Sequence, residues 1–446
     1  MTIKIHEEVM YIITTLESNG YEAYAVGGCV RDSLLGKEPQ DWDVCTSALP
    51  EQSQAVFKGQ HIIETGLKHG TITLMLNHNP YEITTYRVDG KYKDNRRPET
   101  VKFVNVLKRD LARRDFSINA MAYNPKTGIV DFYDGQQDLL NKKIKTVGNP
   151  NKRFGEDALR IMRALRFAAQ FGYDIEKNTA QAMIDNKKLL HNIAPERINA
   201  ELSKILVSDN VYRILSSFLP VLTEIIPEFE TCIGFEQNNP HHCYDVMTHT
   251  LHTVDAAPKE LEIRLTMLLH DIAKPRCYSE SDDGIGHFHG HAQAGEKIAG
   301  SVLNRLRYDN DTIKTVTQLI HYHDSEILPE NKYVKRWLNK IGEERLRQLV
   351  VINWADNMAK TDIHVYNDIE KLTKIPPLID EIIEQEQCFS LKDLAVNGRD
   401  LIDENIAQGA KIGEILNKLV DMVIDGELPN NKFVLLEFAH NYVNKE

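Results

Sequence analysis

The stretch "YAVGGCVRDSLLGKEPQDWDVC" (residues 24–45) joins a strand-like run, two glycines, a helix-like run and two closely spaced acids. Gly27 and Gly28 would allow backbone N–H groups to approach a phosphate at the start of the helix, where the helix dipole favours anions. The guanidinium of Arg31 adds a charged fork for the same phosphates, and Asp32 beside it belongs to the same set. The order of these residues predicts a turn that binds the phosphates of a nucleotide.

The two acids near the end of this stretch are spaced for one face of a strand. Asp41 and Asp43 are i and i+2 in an extended segment, so their side chains point the same way. With Glu82 of "YEITTYR" as a third carboxylate, they could hold two Mg²⁺ ions, one activating an attacking hydroxyl and one stabilising a leaving pyrophosphate. Taken singly, Gly-Gly is an ordinary turn and D-x-D is two solvated acids; the ordered combination favours the functional interpretation.

The composition is that of an ordinary soluble globular protein. The chain has 446 residues and a formal net charge of −12, and this length predicts about two to four domains. The charge argues against a protein that coats nucleic acid indiscriminately, but it allows a local basic face. No apolar run is long enough to span a bilayer, so we expect no membrane partner. The six cysteines lack C-x-x-C spacing, which suits the reducing cytoplasm.

Periodicity divides the chain into a mixed head and a helical body. From residue 22 to about 135, turns separate the predicted strands "EAYAVGG", "DVCTSA", "TITLML", "YEITTYR" and "TVKFVNV". From about residue 155 the pattern is helical almost without interruption, as in "GEDALRIMRALRFAAQFG" (155–172). The predicted fold class is therefore α+β, with an α/β head followed by an all-α body.

Two residues of this helical stretch suit the recognition of a base. Asp157 and Arg160 are i and i+3 and are expected to share a helix face. The carboxylate only accepts hydrogen bonds and the guanidinium only donates them. Cytosine and adenine offer an amino donor beside a ring-nitrogen acceptor, whereas guanine and uracil offer the opposite order. The pair could therefore select C and A without a template; the alternative is an ordinary intrahelical ion pair.

Several stretches in a fixed order resemble one family. These are the opening stretch, "RRDFSINAMAYNP" (113–125), "DFYDGQQDL" (131–139), "RFGEDALRIMRALRF" (153–167) and "APERINAELSKIL" (194–206). Together they resemble the class II tRNA nucleotidyltransferases and bacterial poly(A) polymerases of the polymerase-β-like superfamily. The resemblance implies catalytic roles for Asp41, Asp43 and Glu82. The nucleotide-binding set it implies is Gly27, Gly28, Arg31, Asp32, Arg114, Asp115, Asn119, Asp157, Arg160, Arg163 and Arg166.

The resemblance also implies an RNA substrate. The segment 87–103 resembles the family's flexible loop, which is shortened in members that add only CC and is complete here; the alternative is a solvated hairpin loop. Phosphate contacts to a tRNA acceptor stem would read its shape rather than its sequence. Solvated surface charges are the alternative. The basic residues expected at this RNA surface are Lys142, Lys143, Lys145, Lys152 and Arg153.

The central region contains a second set of metal-ligand residues. Around "LLHDIAKP", it carries four histidines and two aspartates in helical or helix-edge contexts, types that suit a divalent metal. The set resembles the HD phosphohydrolase superfamily, and the identity of the metal stays open. Either the site is an active phosphohydrolase that trims a 3′-phosphate or 2′,3′-cyclic phosphate, or it is an idle scaffold. The implied ligands are His249, His270, Asp271, His291, His323 and Asp356.

These observations give a complete hypothesis. The chain is expected to be a cytoplasmic, Mg²⁺-dependent nucleotidyltransferase that adds or repairs the 3′-terminal CCA of tRNA from CTP and ATP. One alternative is an A-adding-only enzyme or poly(A) polymerase, and another is an HD phosphohydrolase with a nucleotide-binding head. The predicted domains are a nucleotidyltransferase head at 1–140, a helical neck at 141–210, an HD-type body at 211–360 and a tRNA-binding helical tail at 361–446.

Overall fold

A computed structural model describes residues 3–90, 99–239, 243–360 and 365–444. The chain forms two compact units, Met1–Pro227 and Glu228–Glu446. The first unit contains a large sheet and the helices that follow it, and the second is almost entirely helical. The α+β class expected from periodicity is confirmed. The four-part domain division stays a prediction.

The first unit is built around a seven-stranded sheet with the order β3-β4-β5-β2-β1-β8-β9. Neighbours are antiparallel except β2 and β5, which run parallel. The sequence pattern predicts β1, β2, β4 and β5 but not β3, β8 and β9. The strands are β1 (Ala23–Val26), β2 (Asp43–Thr46), β3 (His61–Ile63), β4 (Thr71–Leu76), β5 (Asn79–Thr85), β8 (Met121–Asn124) and β9 (Gly128–Asp131).

The run "TVKFVNV" does not join the large sheet. Its strand β7 (Val101–Phe103) pairs with β6 (Arg87–Asp89) in a separate antiparallel hairpin. The middle of the predicted flexible loop, residues 91–98, lies outside the described residues. Only the ends of that loop are therefore defined here.

Alternation along β2 orients the acids as expected. Trp42 is buried and its ring lies 5.4 Å from that of His6, while Asp41 and Asp43 on either side are exposed. Successive side chains of an extended segment point to opposite faces. Burial of the indole therefore places both carboxylates on the solvent side.

Helices cover the sheet and continue beyond it. Helix α1 (Glu7–Ser18) buries Val9, Ile12, Ile13 and Leu16, as its amphipathic pattern predicts. The other helices of the head are α2 (Gly28–Leu34), α3 (Pro50–Val56), α4 (Leu107–Ala112) and α5 (Gly135–Leu140). The rest of the first unit comprises β10 (Lys143–Ile144), α6 (Pro150–Glu156), α7 (Leu159–Phe171), β11 (Asp174–Ile175), α8 (Lys177–Asn186), α9 (Pro195–Leu206), α10 (Val211–Ser217) and α11 (Leu219–Ile225).

The stretch 155–172 is not one helix, which corrects the prediction. Helix α6 ends at Glu156, Asp157 is extended with φ −136° and ψ 104°, and α7 begins at Leu159. The Asp157 carboxylate accepts a hydrogen bond from the Leu159 backbone N–H at 3.2 Å. An aspartate that bonds a nearby backbone donor competes with helix continuation, which explains the break.

Helices and two short strands make up the second unit. No helix in the described ranges is long and apolar enough to cross a membrane. The elements are α12 (Val246–Ala256), α13 (Leu261–Leu269), β12 (Ser279–Glu280), β13 (Gly286–His287), α14 (His291–Arg305), α15 (Asn310–Tyr322), α16 (Asn331–Ile341), α17 (Glu343–Met358), α18 (Val365–Thr373), α19 (Ile375–Glu384), α20 (Gly398–Asp403), α21 (Ala410–Ile424) and α22 (Lys432–Val443).

Candidate functional site

The glycine turn between β1 and α2 needs its first glycine for two reasons. Gly27 has φ +84°, a region that side chains with a Cβ rarely adopt. A Cβ at this position would also lie 2.9 Å from Arg114 Nη1, too close for an unstrained contact. The absent side chain therefore lets the Arg114 guanidinium approach the start of α2, the expected position of a phosphate.

The predicted carboxylates lie on, or directly before, two neighbouring central strands of the sheet, β2 and β5. The parallel register of β2 and β5 pairs Asp43 with Glu82, and both side chains are exposed. The surrounding protein partly desolvates Asp43 and raises its pKa to about 6; Glu82 and Asp41 add to the rise, while the charge of Arg114 opposes it. Mutual repulsion of this kind is relieved when a cation binds.

The head carboxylates form an open site rather than a closed cage. Among the described residues, three ligand atoms within 4.8 Å of one another occur only in the second unit. Mg²⁺ typically keeps several waters and takes one or two carboxylates, so Asp41 and Asp43 fit this ion. Their role as its ligands stays a prediction, as does the role of Glu82.

Arg31 forms hydrogen bonds with other side chains of the protein. Its Nε and Nη2 donate to the two carboxylate oxygens of Asp32, each at 2.9 Å, and its Nη1 donates to Asn119 Oδ1 at 2.6 Å. The guanidinium also lies over the rings of Phe167 and Phe171, at 5.3 and 5.0 Å from their centroids. These contacts fix the side chain beside α2, and its contact with phosphate stays a prediction.

Asp115 organises the neighbouring polar residues. One oxygen accepts from Arg163 Nε at 2.8 Å and from its Nη2 at 2.5 Å, and the other accepts from Asn119 Nδ2 at 3.2 Å. Burial by itself would raise the pKa of Asp115, but the charges of Arg163 and Arg160 hold it well below its usual range. Asp115 is therefore a fixed anion that connects α7 to the head.

The predicted base-selecting residues do not pair with each other. Arg160 Nη1 donates to Glu156 Oε2 at 3.0 Å, and its Nη2 donates to the Arg113 carbonyl at 3.0 Å. Asp157 instead accepts from Arg197 Nη2 at 3.2 Å. The expectation of a shared helix face was wrong because Asp157 lies in the break between α6 and α7. Their contact with a base stays a prediction.

The predicted basic surface is only partly exposed. Lys142 and Lys152 are exposed, whereas Lys143 forms an ion pair with Asp174 at 3.1 Å and Lys145 is half-buried. Arg153 was wrongly assigned to this surface. It is buried, and its guanidinium bonds Glu156 at 2.7 Å and the Ala112 carbonyl at 3.2 Å. Arg166 is likewise held by Glu201 at 2.6 Å.

Five helices of the second unit bring its predicted metal ligands together. His249 lies within α12 and Asp356 within α17, while His270 and His323 directly follow α13 and α15, and His291 begins α14. The ligand atoms converge in two groups of three that share Asp271. They are His249, His270 and Asp271, and Asp271, His291 and His323.

Distances within the cluster centre on Asp271. Its Oδ2 lies 3.1 Å from His270 Nε2 and 3.6 Å from His249 Nε2. Its Oδ1 lies 3.6 Å from His291 Nε2 and 3.7 Å from His323 Nε2. Asp356 Oδ1 approaches the first group, at 2.9 Å from His249 Nε2 and 3.5 Å from His270 Nε2. A shared carboxylate with histidines on each side suits two metal ions.

Hydrogen bonds aim the histidine lone pairs at this centre. His270, His291 and His323 each bond from Nδ1 to the carbonyl three residues earlier, at 2.7, 2.8 and 2.6 Å. A donor at Nδ1 leaves Nε2 free to ligate. His270 Nε2 and both oxygens of Asp271 are buried and face the Nε2 atoms of the other histidines, and imidazole and carboxylate groups that converge in this way suit a divalent metal ion. The residues therefore fit a metal.

Two lysines beside this cluster are not among the residues predicted from the sequence. Lys274 Nζ lies 2.8 Å from Asp271 Oδ2, and Lys360 Nζ lies 2.5 Å from Asp356 Oδ2. Lys274 follows Asp271 by three residues and Lys360 follows Asp356 by four, and this spacing of opposite charges is visible in the sequence. Arg197 was missed as the partner of Asp157, and no local pattern joins residues 40 positions apart.

Three parts of the chain match family models. Residues 23–145 match "Poly A polymerase head domain", 172–220 match "Probable RNA and SrmB-binding site of polymerase A", and 280–439 match "tRNA nucleotidyltransferase domain 2 putative". Together with the pairing of Asp43 and Glu82 described above, these matches define the class of the protein as a nucleotidyltransferase.

Relatives that align over nearly the whole chain show which nucleotidyltransferases it resembles. The chain is 34% identical to the CCA-adding enzyme of Limosilactobacillus reuteri, over 97% of this chain and 96% of that one. It is 32% identical to that of Bacillus velezensis, over 97% of each. The chain belongs to the CCA-adding enzyme family, which confirms the resemblance found in the sequence.

Solved structures show the same architecture. The Bacillus stearothermophilus CCA-adding enzyme in complex with CTP superposes with a TM-score of 0.69 at 26% identity, covering 98% of each chain. The Thermotoga maritima CCA-adding enzyme complexed with tRNA superposes with a TM-score of 0.61 at 19% identity, over 98% of this chain and 96% of that one. The latter likeness concerns the fold alone.

Proposed function

We propose that the chain adds or repairs the 3′-terminal CCA of tRNA, using CTP and ATP and releasing pyrophosphate. The observation that carries the proposal is the pairing of Asp43 with Glu82 on the central strands β2 and β5, together with a glycine turn that leaves room for Arg114. The CTP in the complex of the solved relative at 26% identity and the CCA-adding enzymes among the whole-chain relatives support this activity. A cytoplasmic location remains the expectation from the sequence.

Different residues would bind the triphosphate, the metal ions and the base during nucleotidyl transfer. The N–H groups at the start of α2 and the Arg114 guanidinium bind the triphosphate, and Asp115 holds Arg163 in place beside them. Asp41 and Asp43 would hold Mg²⁺, which stabilises the charge on the attacking and leaving oxygens. Asp157 and Arg160 would read the base edge, after each exchanges part of its present contacts.

Extension of three RNAs tests this function. The purified chain with Mg²⁺ and all four NTPs should add CCA to a tRNA ending at the discriminator base and one A to the same tRNA ending in CC. Addition of A alone, and only to the CC end, would indicate an A-adding enzyme. A long A tail on a non-tRNA oligonucleotide would indicate a poly(A) polymerase. No extension at all would refute the proposal.

We propose a metal-dependent phosphohydrolase as a second activity, at the cluster around Asp271. Its support is the convergence of two buried ligand groups that share Asp271. Metal ions bound there would supply Lewis-acid catalysis and an activated water. Lys274 and Lys360 place positive charge beside the cluster, where the charge would favour a phosphate. The substrate class is a terminal 3′-phosphate or 2′,3′-cyclic phosphate of RNA.

Metal analysis and an RNA substrate test this second activity together. The full chain should retain about two divalent ions per molecule at the cluster, and it should release phosphate from a 3′-phosphorylated oligonucleotide or open a 2′,3′-cyclic end. Stoichiometric metal without hydrolysis would indicate an idle scaffold. Absence of bound metal after incubation with Mn²⁺, Ni²⁺ or Zn²⁺ would refute the site.

A further inference from the structure

A cavity in the second unit opens directly onto the histidine cluster. It measures about 270 Å³, close to the lower end of the range of about 300–1,000 Å³ that is usual for small-molecule sites. His323, from one ligand group, and Asp356, which lies against the other, both line it. The side chain of Asp356 is 18% exposed, whereas the other ligands are almost completely buried. The cluster is therefore most accessible from this cavity.

One polar face of α17 forms a wall of the cavity. Four of its residues, at the spacing i, i+3, i+4 and i+7, share one side of the helix. They are Asn353, Asp356, Asn357 and Lys360, and all four line the cavity. Asp356 is the member of this face that contacts the cluster, and both asparagines lie within about one helical turn of it. The face therefore places two amides beside the position expected for a phosphate.

Hydrogen bonds from their nitrogen atoms orient the two asparagine amides. Asn353 Nδ2 donates to the Ser325 carbonyl at 3.3 Å, and Asn357 Nδ2 donates to the Asn353 carbonyl at 2.9 Å. Among the described residues, Asn353 Oδ1 is buried and has no hydrogen-bond partner. A buried acceptor without a donor is destabilising. A ligand that supplies a donor to this oxygen would therefore gain affinity.

The need for a donor distinguishes among phosphorylated ligands. The oxygens of a phosphate accept hydrogen bonds from the protein, so the donor must come from a group next to the phosphate. In a ribonucleotide with a terminal 3′-phosphate, the 2′-hydroxyl on the neighbouring carbon is such a donor. A 2′-deoxynucleotide lacks this hydroxyl, and in a 2′,3′-cyclic phosphate the same oxygen is bonded to phosphorus. The cavity therefore fits the 3′-phosphate of a ribonucleotide.

We infer that Asn353 selects RNA ends that carry a 3′-phosphate, its Oδ1 accepting a hydrogen bond from the terminal 2′-hydroxyl. The inference rests on the proposed phosphohydrolase and narrows its two substrate classes to one. A site built around a substrate hydroxyl rejects the analogue that lacks it, because a buried polar atom is then left unpaired. Asn353 is thus a residue that determines specificity for ribose over deoxyribose.

Binding of unreactive analogues to the full chain tests the inference. The probes are adenosine 3′-phosphonates in which a CH₂ group replaces the 3′-oxygen, so that the bond from the sugar to phosphorus cannot be hydrolysed. In the presence of Mn²⁺, titration calorimetry should show the 2′-hydroxyl probe binding about tenfold more tightly than the 2′-deoxy probe. A 2′-fluoro probe cannot donate a hydrogen bond, and it should bind as weakly as the 2′-deoxy probe.

Two variants assign the preference to one side chain. Asn353→Ala should bind the 2′-hydroxyl and 2′-deoxy probes within about twofold of each other, with its metal content unchanged by elemental analysis. Asn357→Ala is the matched control, since it removes an amide from the same face and cavity but leaves Asn353 Oδ1 in place. This control should keep the tenfold preference for the 2′-hydroxyl probe.

The possible outcomes separate this inference from the proposed phosphohydrolase. Equal affinity of the parent chain for the 2′-hydroxyl and 2′-deoxy probes would overturn the inference alone, as would a 2′-fluoro probe that binds as tightly as the 2′-hydroxyl probe. A preference that survives in Asn353→Ala, with all probes weakened equally, would show that this residue is only structural. Failure of the parent chain to bind any probe would refute the phosphohydrolase as well.

Discussion

Arg197 controls the surroundings of Asp157, a carboxylate expected to read the base. The two side chains approach within 3.2 Å, and both remain partly exposed. A guanidinium with two N–H groups toward a carboxylate fixes the plane of that carboxylate as well as its charge. A base amino group that meets Asp157 would therefore find an acceptor already oriented by Arg197.

Replacing Arg197 by alanine should reduce nucleotide selectivity. We expect the ratio of kcat/KM for CTP over UTP to fall about tenfold, because Asp157 loses a charged hydrogen bond worth about 1.5 kcal/mol. Arg213→Ala is the matched control, since it removes an arginine that pairs with the exposed Asp174 in the same unit. Lower thermal stability with unchanged selectivity would show that Arg197 is only structural.

His270 makes metal binding at the cluster depend on pH. Burial by itself would lower its pKa, but Asp271 and Asp356 raise it to about 9. In the metal-free protein this histidine therefore carries a proton at neutral pH, and a metal ion must displace it.

Affinity for Mn²⁺ should consequently rise as the pH increases from the ordinary histidine value of about 6.5 toward about 9, where His270 becomes neutral without metal. Titration calorimetry in two buffers of different ionisation enthalpy should show about one proton released per ion near neutral pH. The sign follows because the raised pKa stabilises the protonated form, which cannot ligate. An affinity that stays constant over this range would contradict the assignment of His270 as a ligand.

The turn between β1 and α2 contains Gly27, whose positive φ would strain any residue with a Cβ. Gly27 and Gly20 have nearly the same φ, +84° and +85°, but only Gly27 has Arg114 against it. A Cβ at Gly20 would meet nothing within 4 Å. The pair therefore separates backbone strain from displacement of a functional side chain.

Gly27→Ala should lower both stability and RNA extension, whereas Gly20→Ala should lower stability alone. Gly27 has ψ −128° with its positive φ, a region that side chains with a Cβ rarely adopt, and positive-φ strain of this kind costs about 1–3 kcal/mol. Displacement of Arg114 at the first position should raise the KM for CTP and reduce kcat at least tenfold. Chemical denaturation and steady-state extension assays measure the two effects. Equal loss of activity in both variants would show that strain, rather than Arg114, is responsible.

The molecule carries its two candidate sites in different compact units. The acids of the head lie in Met1–Pro227, and the histidine cluster lies in Glu228–Glu446. No residue is common to both sites, so substitutions in one site are expected to leave the chemistry of the other intact.

The Asp41→Asn/Asp43→Asn variant should therefore lose RNA extension by at least about a thousandfold, because it removes the groups expected to hold Mg²⁺, while any phosphohydrolase activity persists. The His270→Asn/His291→Asn variant should show the reverse. It takes one histidine from each ligand group and leaves the ion pair of Asp271 with Lys274 in place. Both activities are measured on the same preparations. Loss of both activities in either variant, with the fold intact by circular dichroism, would contradict two independent sites.

Local sequence patterns were sufficient to predict several features of the fold and of the two candidate sites. The i, i+2 spacing of Asp41 and Asp43 predicted that they share one side, and the glycine pair predicted the turn before α2. The ligand types around Asp271 gave the cluster. Each of these features depends on the periodicity of one segment or on residue chemistry, which a linear sequence displays directly.

Tertiary contacts decided the rest. The register that sets Asp43 beside Glu82, the pairing of Asp157 with Arg197, and the burial of Arg153 all join segments far apart in the chain. Which of several arginines or lysines pairs with a given carboxylate depends on distances of a few ångströms. Those distances are set by how the helices and strands pack. A linear sequence shows which side chains are charged, but the partner of each charged side chain depends on which segments come together in the fold.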